Sequence, residues 1–469
     1  MTNILRNTPD LEEIDKKYLF HPFTALAEHE KAGPTVIVEG KGSRLTDNHG
    51  RSYIDGMAGL WCVNAGYGRK EIADVLHDQA MRLPYFHSFS SWGTDTPALL
   101  AEKVISKAPE GMSKVFFGQS GSDANDTQVK LVWYYWNTRG KPEKKKIIAR
   151  NRGYHGVTVV SGSLTGMPSL HSGFDLPLPF VRHTTAPYRL WEAEAGMSDA
   201  DFSAKLAADL EALILAEGPE TVGAMIMEPV MGAGGVIVPP EGYYDAIQAV
   251  LDKYEILLIA DEVISGFGRL GDWFGSKVMG MKPDLITVAK GITSAYVPLS
   301  GCIVSEKVWR TVVEGQAKFG PFGHGYTYTA HPLSAAAALA NLEIIENDGL
   351  IGKAAETGAF LHQQLHAGFD GHPLVGEIRG EKLIGAVEFV ANKNPMTRFD
   401  PTLKIAARVV KEARDRGVIT RALPHADTIS FSPPFIITRD EIEEMVTGVR
   451  AAVDAVMDQL VAEKLWTEQ

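Results

Sequence analysis

Hydrophobic positions along this chain fall into short apolar runs that end abruptly on polar or charged residues, with helix-period stretches between them. Met225–Glu228, Leu257–Asp261 and Leu285–Lys290 are such runs in the middle of the chain. Strands that alternate with helical stretches predict βαβ units and a largely parallel sheet. An unbroken apolar run such as Ile256-Leu257-Leu258-Ile259-Ala260 fits a central strand covered on both faces. Lys146–Arg150 predicts a further strand. Val115-Phe116-Phe117-Gly118 predicts another, followed by a helix from Asp123 to about Trp136.

After about His331 the texture changes. Thr402 to Arg416 predicts a helix stopped by Gly417, and Val418–Ala422 a strand directly after it. Thr438-Arg439-Asp440-Glu441 has the form of a capping box. Ile442, Met445, Val446, Val449, Val453, Val456, Met457 and Leu460 follow it at helical spacing. The expected fold class is α/β: a large domain with a mostly parallel sheet, plus a smaller α+β domain.

Three of the run ends carry chemistry. Leu285-Ile286-Thr287-Val288-Ala289 leads straight into Lys290. A lysine at a strand end inside a cleft is partly desolvated, which lowers its pKa and frees the amine to attack a carbonyl. A lysine that merely caps a strand in solvent is the alternative. Asp261 ends its own strand 29 residues earlier. In open α/β sheets, ligands bind beyond the carboxyl ends of the strands, which would aim both groups into one crevice; otherwise Asp261 caps the next turn. Gly118-Gln119-Ser120-Gly121-Ser122 opens the Asp123 helix. Unpaired amides at a helix N-terminus, with hydroxyls nearby, form a phosphate cradle, or equally an ordinary N-cap. Phosphate cradle, carboxylate and reactive lysine are together what pyridoxal 5′-phosphate requires.

Composition narrows the field. The chain has 469 residues, is 45% hydrophobic and 22% charged, and has ample apolar content for a large core. A net charge of −12 disfavours nucleic-acid and anionic-membrane partners. No apolar run reaches the roughly 18 residues of a membrane span, and the start Met1-Thr2-Asn3-Ile4-Leu5 lacks a signal-peptide pattern. Cys62 and Cys302 are expected as reduced thiols, and the expected location is cytoplasmic. Asn125-Asp126-Thr127 matches a glycosylation sequon by chance. No metal site is expected. Lys141-Pro142-Glu143-Lys144-Lys145-Lys146 is read as a solvated loop entering a strand.

Beyond these sites, the chain resembles the class III pyridoxal-phosphate aminotransferases, and most closely the ω-amine:pyruvate transaminases. The matching segments are Leu60-Trp61-Cys62-Val63-Asn64-Ala65-Gly66-Tyr67-Gly68, Ser120-Gly121-Ser122-Asp123-Ala124-Asn125, Tyr154-His155-Gly156, Glu228-Pro229-Val230, Asp261-Glu262-Val263, Lys290-Gly291-Ile292-Thr293 and Gly325-Tyr326-Thr327-Tyr328. They keep the family's order and cover nearly the whole chain. The resemblance implies fold type I. Residues 1–66 would join the small domain, 67–331 form the large cofactor-binding domain, and 332–469 form the C-terminal small domain. Thr329-Ala330 stands where the family more often has Ser-Gly, and Asp123 where Glu is common.

The resemblance also assigns residues. Lys290 would hold the cofactor and then move a proton from substrate carbon to cofactor carbon. Ser120, Gly121, Ser122, Tyr154, Asp261, Val263, Tyr326 and Thr327 would bind the cofactor. Tyr154 and Val263 would take opposite faces of its ring, and Thr327 would reach a partner subunit's phosphate across a two-fold axis. A homodimer or dimer of dimers is thereby implied. Phe23, Leu60, Trp61, Phe89, Ala233 and Arg421 would line the substrate pockets, with Arg421 binding the keto acid's carboxylate. His155 and Glu228 receive only a hydrogen-bonding structural role.

The implied reaction moves an amino group from a primary amine or ω-amino acid to a keto acid, with pyruvate the expected acceptor. The donor stays open among diamines, β-alanine, taurine and arylalkylamines. An aminomutase or decarboxylase of the same fold is the in-family alternative. Gly266-Phe267-Gly268-Arg269-Leu270-Gly271 matches a dinucleotide fingerprint and sustains a nicotinamide-dependent dehydrogenase as a rival. Two acids between strand and first glycine count against it. A cofactor-less scaffold of this fold is a second rival, disfavoured because Lys290 and Asp261 are both present.

Overall fold

The computed structural model describes residues 10–424 and 427–467. Met1-Thr2-Asn3-Ile4-Leu5, read above for a leader pattern, lies outside the described residues. The central sheet has seven strands, ordered Met112–Gly118, Ser300–Ser305, Leu285–Val288, Leu257–Asp261, Val222–Met227, Lys146–Arg150 and Val181–Thr184. Only Ser300–Ser305 runs against its neighbours; the other pairings are parallel. Leu257–Asp261, Leu285–Val288 and Val222–Met227 are buried along their whole lengths. That explains why they read as unbroken apolar runs rather than as alternation.

The Gly121–Thr138 helix lays Val129, Leu131 and Val132 on one face of this sheet, against Ile147, Ala224, Ile226, Leu257, Ile259 and Leu285. The opposite face, including Met225, Leu258, Ala260 and Ile286, joins a larger apolar cluster reaching the C-terminal helices. The three adjacent strands Val222–Met227, Leu257–Asp261 and Leu285–Val288 all point the same way. Glu228, Asp261 and Lys290 therefore emerge side by side at the same edge of the sheet.

Two smaller sheets flank the large one. Ile37–Lys41, Arg44–Asp47 and Ser52–Asp55 form an antiparallel set that Val418–Ile419 joins in parallel. Val375–Glu381, Ile384–Phe389, Thr428–Phe431 and Arg421–Ala422 form the other. The strand expected as one piece over Val418–Ala422 is thus two. Buried Thr420 donates its hydroxyl to the Ser430 carbonyl at 2.7 Å, and there the chain passes from one sheet to the next. Arg421 follows this crossover.

The helix expected from Thr402 starts later, at Ile405, because Pro401–Leu403 forms a 3-10 turn and Lys404 is left-handed, at φ 50°. The Thr438 capping box forms: Thr438 Oγ1 accepts from the Glu441 amide at 3.2 Å, and Glu441 Oε2 accepts from the Thr438 amide at 3.0 Å. Asn125 of the sequon is buried, so no glycan is attached there in the folded chain. Both cysteines are free. Among the described residues, no helix is long and apolar enough to cross a membrane.

Candidate active site

A cleft of ≈ 590 Å³ lies at the carboxyl edge of the central sheet, lined by Lys290, Asp261, Gly121, Ser122, Tyr154 and Arg421 among others. Lys290 follows the extended Ala289 and adopts φ 49°, opening a 3-10 turn through Thr293. A left-handed lysine costs about 1–2 kcal/mol. The cost is met because Gly291 packs against Asn64 so tightly that a Cβ there would come within 2.4 Å of Asn64 Nδ2. Among the described residues the Lys290 amine makes no ion pair and no hydrogen bond. Nζ sits 5.2 Å from the centroid of the buried Trp61 ring. Burial lowers its pKa; nearby Cys62 opposes this, the Arg421 guanidinium lowers it further, and Asp261 and Glu228 raise it less. The downward shift favours the free amine, the nucleophilic form.

Asp261 is held by three donors. Asn125 Nδ2 donates to Oδ2 at 2.9 Å, His155 Nδ1 donates to the same oxygen at 2.8 Å, and the Val263 amide donates to Oδ1 at 3.1 Å. A carboxylate only accepts, so the His155 proton on this bond is on Nδ1. Asn125 is itself fixed by Thr287, whose hydroxyl donates to Oδ1 at 2.7 Å. Two buried side chains thereby orient one buried carboxylate. The reading of the sequence gave Asn125 no role. Its signal was available: it stands four residues after Gly121, on the same face of the helix.

The Gly121–Thr138 helix has Ser120 as its N-cap, in a reciprocal box with Asp123. Asp123 Oδ2 also accepts from the Gln119 and Ser120 amides, each at 3.0 Å. The acid near this helix end is therefore occupied by its own backbone, while the Gly121 and Ser122 amides, in the helix's first turn, have no intrahelical acceptor. Gly156 closes over this helix end at φ 130°, where a Cβ would meet Ser122 Oγ at 2.6 Å and Ser161 Oγ at 2.4 Å. Only glycine allows that approach. Glu228 accepts from the Tyr154 amide at 3.1 Å and the Gly232 amide at 2.8 Å, and burial raises its pKa. It fixes the loop that carries Tyr154 and Ala233.

Of the residues expected at the site, Lys290, Gly121, Ser122, Tyr154, Asp261, Val263, Phe23, Leu60, Trp61, Ala233 and Arg421 line this one cleft. Pro22, Ile264 and Leu423 line it too and were not anticipated. Ser120 does not line it, because its hydroxyl is spent on the cap. Phe89 is 44% exposed and packs beside Gly325 instead. Tyr326 donates its hydroxyl to the Asp123 carbonyl at 3.1 Å. Thr327 is exposed, and its carbonyl accepts from Tyr85 at 2.6 Å. Phe89 and Thr327 thus share a surface outside this chain's own cleft.

The dinucleotide reading fails on geometry. Glu262 is fully buried beside the glycine run, and accepts from the Gly275 amide at 2.9 Å and the Ser276 amide at 2.5 Å. Gly268 packs against Phe435 and the following helix is only Gly275–Val278. Among the described residues, no long helix opens at this glycine run to receive a pyrophosphate.

The residues present fit pyridoxal 5′-phosphate. The unpaired Lys290 amine suits its aldehyde, the oriented Asp261 carboxylate suits its ring nitrogen, and the Gly121–Ser122 amides suit its phosphate. Comparison with known proteins agrees. Residues 25–453 match the family described as aminotransferase class-III. An uncharacterised aminotransferase of Sinorhizobium fredii is 53% identical over 96% of this chain and 97% of its own length. The diaminobutyrate–2-oxoglutarate transaminase of Halomonas elongata is 50% identical over 97% and 98%. The crystal structure of the ω-transaminase from Pseudomonas jessenii in complex with PMP is 44% identical, with a TM-score of 0.94 over 96% of this chain and 99% of that one. With the lysine, the carboxylate and the phosphate cradle in one cleft, and with matches along almost its whole length, this chain belongs to the class-III aminotransferases, enzymes that use pyridoxal 5′-phosphate.

Proposed function

We propose that the enzyme is an ω-transaminase that takes the amino group of a primary amine or ω-amino acid and passes it to pyruvate. The observation that carries this reading is Arg421. It is half-buried in the cleft, burial lowers its pKa, and among the described residues no acid pairs with it. Its guanidinium carbon lies 4.9 Å from the centroid of the Trp61 ring. A partly buried cation without a protein anion suits a ligand carboxylate.

Among the described residues, Lys290 and Arg421 are the only lysine and arginine lining the cleft, and Lys290 is committed to the cofactor. One free cation suits a monocarboxylate acceptor. Phe23, Leu60, Trp61, Leu423 and Pro424 supply apolar walls for the rest of the donor. When bound, the cofactor supplies an electrophilic carbon and a ring that withdraws electrons. Asp261 would keep the ring nitrogen protonated, and Lys290 Nζ would carry the proton between the two reacting carbons. The burial that lowers the Lys290 pKa favours the basic form of its amine for that work.

The exposed Thr327 and Phe89 support a homodimer, or a dimer of dimers, in which each chain serves its neighbour's cleft. A cytoplasmic location is part of the same proposal. A second reading follows from the 50% identical Halomonas relative, whose name gives diaminobutyrate as donor and 2-oxoglutarate as acceptor.

A panel of 1-phenylethylamine, cadaverine, β-alanine and 2,4-diaminobutyrate, each with pyruvate and with 2-oxoglutarate, separates the two. Turnover of 1-phenylethylamine with pyruvate is expected. Turnover with 2-oxoglutarate alone would overturn the pyruvate assignment in favour of the second reading.

A further inference from the structure

We infer that Asp15, His21 and His29 form a binding site for one borderline divalent cation, Zn2+ above all, on the segment that carries Pro22 and Phe23 to the cleft. Asp15 stands in the Leu11–Tyr18 helix, His29 in the Leu26–Ala32 helix, and His21 in the loop between them. One ligand atom from each lies within 4.8 Å of the others. His21 Nε2 is 2.6 Å from Asp15 Oδ1, and His29 Nε2 is 3.5 Å from the same oxygen. The two imidazole rings are 4.4 Å apart, tilted by 45°.

His29 separates this cluster from an ordinary histidine–aspartate hydrogen bond. Its side chain is only 11% exposed, and Nε2 is buried with no hydrogen-bond partner. A buried nitrogen is normally paired. Here it faces a carboxylate and a second imidazole instead, which together make a coordination set. Two imidazoles and one carboxylate suit Zn2+, with a water or a further group as fourth ligand. Ligands about 2.0–2.1 Å from a tetrahedral centre are about 3.3 Å apart. The His29–Asp15 pair already has that spacing, and His21 has to back away from Asp15 by about 0.7 Å to reach it.

The placement has a consequence at the active site. Neither helix buries a single residue of its own, so apolar packing within this chain fixes the segment weakly. Pro22 and Phe23 follow His21 directly and line the cleft. A cation shared by Asp15, His21 and His29 would staple both helices and the loop, and so fix that wall of the cleft. The sequence alone did not suggest this set, because its three residues follow no short ligand spacing.

The test is calorimetric titration of the metal-free holoenzyme with Zn2+, alongside Asp15→Asn, His21→Gln and His29→Gln. Exposed His366 serves as a control through His366→Gln. One Zn2+ per chain is expected. Affinity should fall at least about tenfold in each of the three variants and stay unchanged in His366→Gln. Zinc should also slow amide exchange in residues 10–30 of the parent enzyme but not of His29→Gln. Circular dichroism checks that the variants fold; if one does not, the other two and the exchange measurement still decide. No stoichiometric binding to the parent enzyme, or binding indifferent to all three substitutions, overturns the inference.

Discussion

Replacing Arg421 by alanine removes from the cleft wall the one cation that, among the described residues, has neither an acidic partner nor a cofactor to hold. Because no acid of this chain pairs with Arg421 among the described residues, the change leaves no buried anion behind. The measured loss therefore reports the contact with substrate rather than the cost of an orphaned partner. A charge-assisted hydrogen bond to a carboxylate contributes about 1.5–3 kcal/mol, equivalent to about ten- to 150-fold in pyruvate affinity. The stacking on Trp61 at 4.9 Å contributes about 0.5–1 kcal/mol to holding the guanidinium in place, so the fold should lose no more than that. Arg421→Lys should fall between parent and alanine variant, since an ammonium keeps the charge but loses the planar fork. Single-turnover kinetics of the two half-reactions is the assay. The pyruvate half-reaction should weaken by the stated factor, while that of 1-phenylethylamine, which has no carboxylate, should hold or gain from the added room. Equal losses in both halves, or an untouched pyruvate half, would refute the assignment of Arg421 as the carboxylate site.

The remaining predictions concern the cofactor side. Lys290→Ala should abolish transamination with the fold intact, and borohydride reduction of the parent holoenzyme followed by peptide mapping should label Lys290 and no other lysine. Burial lowers the Lys290 pKa below its unfolded value of 10.5, so the apoprotein's contribution from this residue is smallest at low pH and rises as pH climbs from the folded pKa towards 10.5. In Lys290→Met apoprotein the pH dependence of denaturant midpoints should lose that rise, and an unchanged profile would mean the amine is not buried as described. Asp261→Asn should retain cofactor but slow turnover by about 10²–10³. Asn125→Ala should slow it less, with a shifted visible absorption of the bound cofactor as the readout of a misoriented Asp261. Mixing Lys290→Ala with Thr327→Ala subunits should give heterodimers with one doubly defective and one intact site; mixtures with no recovered activity would refute the shared-site proposal.

Much of this was legible because each feature depends on residues adjacent in sequence. The Leu257–Asp261 and Leu285–Val288 strands read clearly since burial on both faces forces continuous apolar runs, and a polar residue directly after such a run has to lie at the sheet edge. The Thr438 box and the helix behind it were equally plain, as capping and period act within a few residues. The Val418–Ala422 break was not, because the switch of sheets at Thr420 depends on partners at Ile54 and Ser430, far away in the chain. Periodicity holds no record of which sheet a strand joins. The same limit hid the Asp15–His21–His29 cluster, whose members stand in two helices and a loop.

Backbone strain was hidden most completely, and part of it lies at the cleft. Lys290, Trp61 and Phe23 are all non-glycine residues with positive φ, at 49°, 57° and 53°. Each such conformation costs about 1–3 kcal/mol and persists only where surrounding contacts over-determine it. For Lys290 the over-determination is visible in the close Gly291–Asn64 contact, and Asn64 is in turn held by Arg269, whose guanidinium donates to its Oδ1 at 2.8 Å. Arg269 is fully buried and bonds the Leu383 and Pro433 carbonyls of the C-terminal part of the chain. The placement of Lys290 therefore rests on a chain of buried contacts from the sheet edge to the C-terminal part of the chain. The glycine run that mimicked a nucleotide fingerprint has its use here: its arginine anchors the turn that presents Lys290.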